Sequence, residues 1–106
     1  MPLSSPAVPR VEPVSNAETD YEPLYRVIIH NDDVTPMDFV VRILERVFFV
    51  QGQAAVEIML TAHYHGEALV QCVAKSEAQS RVARAQFAAG MEGYPLRFSI
   101  EPDRAA

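Results

Sequence analysis

The sequence predicts a single small α+β domain, β-α-α-β-α-β, with its helices packed on a three-stranded antiparallel sheet. Three observations predict it. The chain has 106 residues, enough for one hydrophobic core. Three stretches with helical spacing of apolar residues are interleaved with three segments of strand character, the first of which opens the regular part of the chain. The prolines crowd one end, five of the eight preceding Leu24, so regular structure is expected only beyond that point.

Residues 1–23 hold Pro2, Pro6, Pro9, Pro13 and Pro23 among Ser, Ala, Val and four acidic residues, and are expected to form a disordered extension. Stretched at ~3.3 Å per residue, it reaches roughly 75 Å. The domain then spans residues 24–101, with 102–106 as a short tail. Leu24 to His30 is rich in β-branched and aromatic residues and reads as a central strand. Asn31-Asp32-Asp33-Val34 follows as a turn. Thr35 is a candidate helix N-cap, Pro36 suits the first helical position and Asp38 complements the helix dipole.

That first helix is expected to run to about Phe49, with Met37, Val40, Val41, Leu44, Val47 and Phe48 as its apolar stripe and Gly52 as the turn after it. A second helix from about Gln53 to His65 carries Val56, Met59, Leu60 and His63 on overlapping faces, and Gly66 is its left-handed stop. Glu67 to Lys75 is a strand with Ala68, Val70, Cys72 and Ala74 on one face. Ser76 caps a third helix reaching about Met91, buried through Ala78, Val82, Ala85 and Ala89. Leu96, Phe98 and Ile100 alternate with polar residues as a half-buried last strand.

Charge narrows the function. Nine basic against 14 acidic residues give a formal net charge of −5, which offers no general attraction to phosphate backbones or anionic lipid. Neither a nucleic-acid partner nor a membrane is expected. The apolar run Val47-Phe48-Phe49-Val50 falls far short of the roughly 20 residues a bilayer span needs. The N-terminus lacks the basic start and apolar stretch of a secretion signal, and the single Cys72 excludes an internal disulfide. The expectation is a cytoplasmic monomer.

Candidate chemistry is sparse. His30-Asn31-Asp32-Asp33 places two carboxylates and a carboxamide at a strand end, which fits either a capping loop or a site for a cation that also donates hydrogen bonds. His63-Tyr64-His65 has the look of a metal pair, with Asp32 or Asp33 to complete it. Positions i and i+2 on a helix point about 200° apart, so one helix does not aim both rings at one ion. His63 also fits the edge of an apolar core. Cys72, mid-strand, reads as a small apolar residue rather than a nucleophile. No nucleophile, base and oxyanion hole assemble, and no glycine-rich phosphate loop exists. An enzyme is therefore not expected, and neither a cofactor nor a metal is.

The run Asn31-Asp32-Asp33-x-Thr35-Pro36-Met37-Asp38-Phe39-Val40, followed by Met59-Leu60-x-x-His63-x-x-Gly66 and Tyr94-Pro95-Leu96, resembles the ClpS family. Those proteins are adaptors that recognise N-degrons and deliver them to the ClpA unfoldase of the ClpAP protease. The similarity covers about residues 24–101. It implies a ligand with a free α-amine and a bulky first residue: Phe, Tyr, Trp or Leu. By that resemblance Asn31 and a neutral His63 accept two ammonium protons, and a water held by Asp32 and Asp33 takes the third. It also implies a pocket of Ile29, Thr35, Met37, Val40, Met59, Ala62 and Leu96, with Met37 as a gatekeeper against Ile and Val. Arg81 falls where the family has a basic residue facing the unfoldase, and the leader matches an extension that enters the unfoldase pore. Val34 and Ala62 stand where the family usually has an aromatic residue and valine, which leaves the preference among Phe, Tyr, Trp and Leu open; some bacteria carry a second, divergent copy of this adaptor, and the sequence does not choose between the two.

Two other classes share parts of this pattern. The C-terminal domain of the ribosomal stalk protein has the same layout but lacks the N-D-D-x-T-P-M run and the histidine. A small metal-dependent hydrolase would use His63, His65 and Asp32.

Overall fold

The structure, a computed structural model, describes residues 22–104. Residues 1–21 of the expected extension, and the last two of the tail, lie outside the described residues. Strand β1 (Leu24–His30) is central, flanked by β2 (Glu67–Ala74) and β3 (Arg97–Pro102), and both pairings are antiparallel. Helices α1 (Met37–Arg46), α2 (Gly52–His65) and α3 (Lys75–Met91) complete the order β-α-α-β-α-β.

The core forms where Val27 and Ile29 of β1 meet Leu44 and Phe48 from one side of the helical layer and Ala78, Ala85 and Ala89 of α3 from the other. Small alanines let α3 lie close to the sheet, as its Ala-rich stripe predicts. Phe48 packs on Phe98 with ring centroids 4.9 Å apart. The opposite face of the sheet is mostly polar, with Arg26 paired to Glu101 at 3.6 Å and His30 hydrogen-bonded to Ser99 at 2.7 Å.

Several expectations are corrected. Thr35 is not the cap of α1: Pro36 occupies that position with extended backbone, no side chain caps it, and helical bonding starts when the Val40 N–H donates to the Pro36 carbonyl at 3.1 Å. The helix ends at Arg46 rather than Phe49. Phe49 takes φ 59°, which swings the chain round so that Phe48 is buried and the Val50 N–H reaches the Leu44 carbonyl at 3.0 Å. Gly52 therefore opens α2 instead of making the turn. The buried face of α2 is Ala55, Met59 and Ala62, while Val56 and Leu60 are exposed.

In β2 the face assignment reverses midway. Val27 pairs with Gln71 and Ile28 with Leu69, so Val70 is an extra residue in a β-bulge. A one-residue insertion flips every later side chain. Cys72 is thus exposed and not aligned with buried Val70. Desolvation against the sheet, reinforced by the Asp103 carboxylate, pushes its thiol pKa up, which keeps it a poor nucleophile. Ser76 does not cap α3 with its hydroxyl. Its N–H donates to the Glu22 carboxylate at 2.6 Å, and the Lys75 N–H to the Pro23 carbonyl at 3.1 Å. The last strand keeps its alternation, with Leu96 and Phe98 buried.

Candidate functional site

The turn after β1 is organised by one carboxylate. Asp32 Oδ1 accepts the N–H groups of Val34 at 2.8 Å and Thr35 at 2.7 Å, and Oδ2 accepts the Thr35 hydroxyl at 2.9 Å. This is the side-chain-to-backbone bonding for which aspartate is favoured in turns. Partial burial pushes the Asp32 pKa up, but the hydrogen bonds from Thr35 and Val34, with the Arg97 charge behind them, outweigh it and hold the carboxyl below its usual value. Asp32 thus stays ionised in a fixed place.

The other side is fixed by Gly66. It closes α2 at φ 94°, bonds back to the Ala62 carbonyl at 2.8 Å, and accepts the Asn31 N–H at 2.9 Å. A left-handed backbone suits glycine. The end of β1 is in this way tied to the end of α2, which sets Asn31 opposite the last turns that carry Met59, Ala62 and His63.

Between them lies a cavity of about 300 Å³. Its walls bring together every residue of the expected pocket (Ile29, Thr35, Met37, Val40, Met59, Ala62 and Leu96) and all four of the polar set (Asn31, Asp32, Asp33 and His63). Ile29, Val40, Met59, Ala62 and Leu96 are buried, so the chamber is apolar. Asn31, Asp33 and His63 are exposed, and Met37 is 44% exposed. Among the described residues the Asn31 and Asp33 side chains and the His63 ring nitrogens have no hydrogen-bond partner. His63 packs edge-on against the Tyr64 ring at 4.8 Å.

His30, Val34 and Pro36 also line the cavity. Their adjacency to Asn31 and Thr35 is the sequence signal for them. The His30 ring itself is engaged with Ser99 and lies 3.6 Å from Glu67. Arg81 does not line the cavity: it bonds Glu77 at 2.7 Å and Gln71 at 3.0 Å, with its guanidinium 5.0 Å from the Phe49 ring centroid. Among the described residues no group of three or more His, Cys, Asp or Glu is placed to hold a metal ion, so His63, His65 and Asp32 form no such set. No helix there is long and apolar enough to cross a membrane.

With this geometry in place, the chain can be set beside characterised proteins. The family described as ATP-dependent Clp protease adaptor protein ClpS matches residues 20–99. The ClpS adapter of Deinococcus radiodurans is 38% identical over 94 residues, 89% of this chain and 83% of the relative. ClpS 2 of Mesorhizobium japonicum is 41% identical over 86 residues, 81% of this chain and 85% of the relative. In three dimensions the chain is similar to Agrobacterium tumefaciens ClpS2 solved with bound L-phenylalaninamide, with a TM-score of 0.74 and 34% identity over 77% of this chain and 99% of that one. This chain belongs to the ClpS family of ATP-dependent Clp protease adaptors.

Proposed function

We propose that the protein is a non-catalytic adaptor that captures other proteins by a free N-terminus beginning with a bulky hydrophobic residue and passes them to a cytoplasmic, ClpA-like unfoldase. The observation that carries this reading is the coupling, in one cavity, of an apolar chamber to acceptors at its rim that have no hydrogen-bond partner among the described residues. A void of about 150 Å³ accommodates a benzene ring, so about 300 Å³ takes a Phe or Leu side chain with room for the backbone behind it. The relative from Agrobacterium tumefaciens holds L-phenylalaninamide, a molecule with that side chain and a free α-amine.

Asn31 and His63 accept from the ammonium, and Asp32 and Asp33 supply the negative field, with a water bridging to them. Burying the first side chain contributes ~2–3 kcal/mol, and two or three charge-assisted hydrogen bonds ~1.5–3 kcal/mol each. After ordering costs, a binding free energy of roughly −7 to −9 kcal/mol, near micromolar, is expected. Residues 1–20 are proposed to enter the unfoldase pore, and Arg81, held in place by Glu77 and Gln71, to face the unfoldase. The adaptor is proposed to act as a monomer.

Fluorescence anisotropy with matched labelled peptides starting with Phe, Tyr, Trp, Leu, Ile and Met, plus an acetylated Phe control, tests the reading. Bulky free termini should bind and the acetylated one should not. Silence across the panel, or equal binding of the acetylated peptide, overturns it. Delivery is tested separately: deleting residues 1–20 should leave capture intact and slow degradation of a Phe-initiated reporter.

A further inference from the structure

We infer that the cavity mouth carries a second, shallower subsite, an apolar shelf of Val34 and Met37 that selects captured proteins whose second residue is apolar. This rests on the adaptor reading, because it concerns where the chain goes after its first side chain is buried. With that side chain in the chamber and the amine on Asn31 and His63, the peptide leaves through the mouth. Its second side chain then lies on the rim.

The rim is not uniformly polar. Val34 and Met37, both lining the cavity, are 62% and 44% exposed. A lone exposed valine needs no explanation, but this one is held. Its N–H is bound to Asp32, and the next residue is bound to the same carboxylate twice, so the valine is presented on a fixed loop. A fixed platform loses little freedom when a ligand covers it. Met37 sits three residues on, at the start of α1, and its flexible thioether arm adapts to side chains of different shape. Asp33, between Asn31 and Val34, is an exposed acidic residue, so an acidic second residue meets another acidic side chain there. The most exposed apolar residues of α3, Phe87 and Met91, are not part of the cavity wall.

The test uses three labelled peptides that differ only at the second position, Phe-Leu, Phe-Ser and Phe-Asp, measured by anisotropy on the full chain and on Val34→Ser. On the unmodified chain Leu should bind about fivefold tighter than Ser, the size expected when part of one Leu side chain leaves water, and Asp should bind weakest. In Val34→Ser the Leu-over-Ser preference should at least halve, with an unchanged thermal melt confirming the fold. Equal affinity for Leu and Ser on the unmodified chain, alongside normal Phe binding, overturns the shelf and leaves the adaptor reading standing. A preference that survives Val34→Ser in full also overturns it. No binding to any of the three removes the adaptor reading and the shelf with it.

Discussion

Asp32 grips Thr35 with both carboxylate oxygens, one taking its N–H at 2.7 Å and the other its hydroxyl at 2.9 Å. The pair fixes the loop from which the cavity rim is built and the point where α1 begins. An aspartate three residues before the threonine thus does the ordering that the threonine hydroxyl was expected to do for the helix, and the hydroxyl becomes its donor.

Replacing Asp32 by Ala should therefore cost about 1 kcal/mol of stability, the usual size of a lost capping interaction at a solvent-screened position. The pH dependence has a definite sign. The folded carboxyl is held below its ordinary value of 3.8, so its stabilisation is fully present above that range and is lost as pH falls through the lowered value. Urea unfolding of the natural chain and Asp32→Ala should show a constant gap from pH 7 down to about 4, shrinking below. A gap that widens in acid would falsify the assignment.

Phe49 gives a second prediction. Its φ of 59° costs a non-glycine residue ~1–2 kcal/mol, while its exposed ring over Arg81 returns ~0.5–1 kcal/mol. Asparagine tolerates this conformation far better. Phe49→Asn should raise stability by up to about 1 kcal/mol, whereas Phe49→Ala, which keeps the strain and loses the ring, should lower it. If chemical denaturation ranks Asn below Ala at this position, backbone strain is not what Phe49 stores.

What could be read ahead of the structure follows from how local the physics is. The strand Leu24–His30, the αL stop at Gly66 and the Ala78-Val82-Ala85-Ala89 stripe each depend on neighbours within one or two turns, and each is found where the pattern puts it. The pocket was implied by the resemblance to the ClpS family, and the helical steps from Met37 to Val40 and from Met59 to His63 agree with it. Apart from Thr35, whose hydroxyl is taken by Asp32 three residues earlier, these misread positions depend on distant partners. Nothing in EALVQCVA signals that Val70 is an extra residue, because the bulge is defined only against Val27 and Ile28 across the sheet. Nothing near Ser76 signals that its N–H is capped by Glu22, far away along the chain. Phe49 runs against its own preference because burying Phe48 against Phe98 demands the turn.

At the rim, Asn31 and His63 should be separable from folding. The Asn31 backbone N–H holds the Gly66 carbonyl at 2.9 Å, and that bond survives truncation of the side chain. Asn31→Ala and His63→Ala should each weaken binding of a Phe-initiated peptide by more than about 1 kcal/mol, as expected for a lost bond to a charged group, with little change in melting temperature. Wild-type affinity in both variants would place the amine elsewhere.

Met37 should decide which first residues are refused. It is the first residue of α1 and stands partly exposed at the mouth, while Val40, one turn on, is buried in the chamber wall. A β-branched first residue carries its extra methyl at Cβ, close to the peptide backbone, and so at the height of the mouth rather than the floor. Removing the thioether arm in Met37→Ala opens space at that height, and alanine is at least as good a helix former, so α1 is not weakened. Peptides starting with Ile or Val should then gain at least about tenfold in affinity, 1.4 kcal/mol, while Phe changes by only a few-fold. Continued refusal of both would shift the discrimination from the mouth to the buried walls, where Val40 and Met59 meet the side chain beyond Cβ.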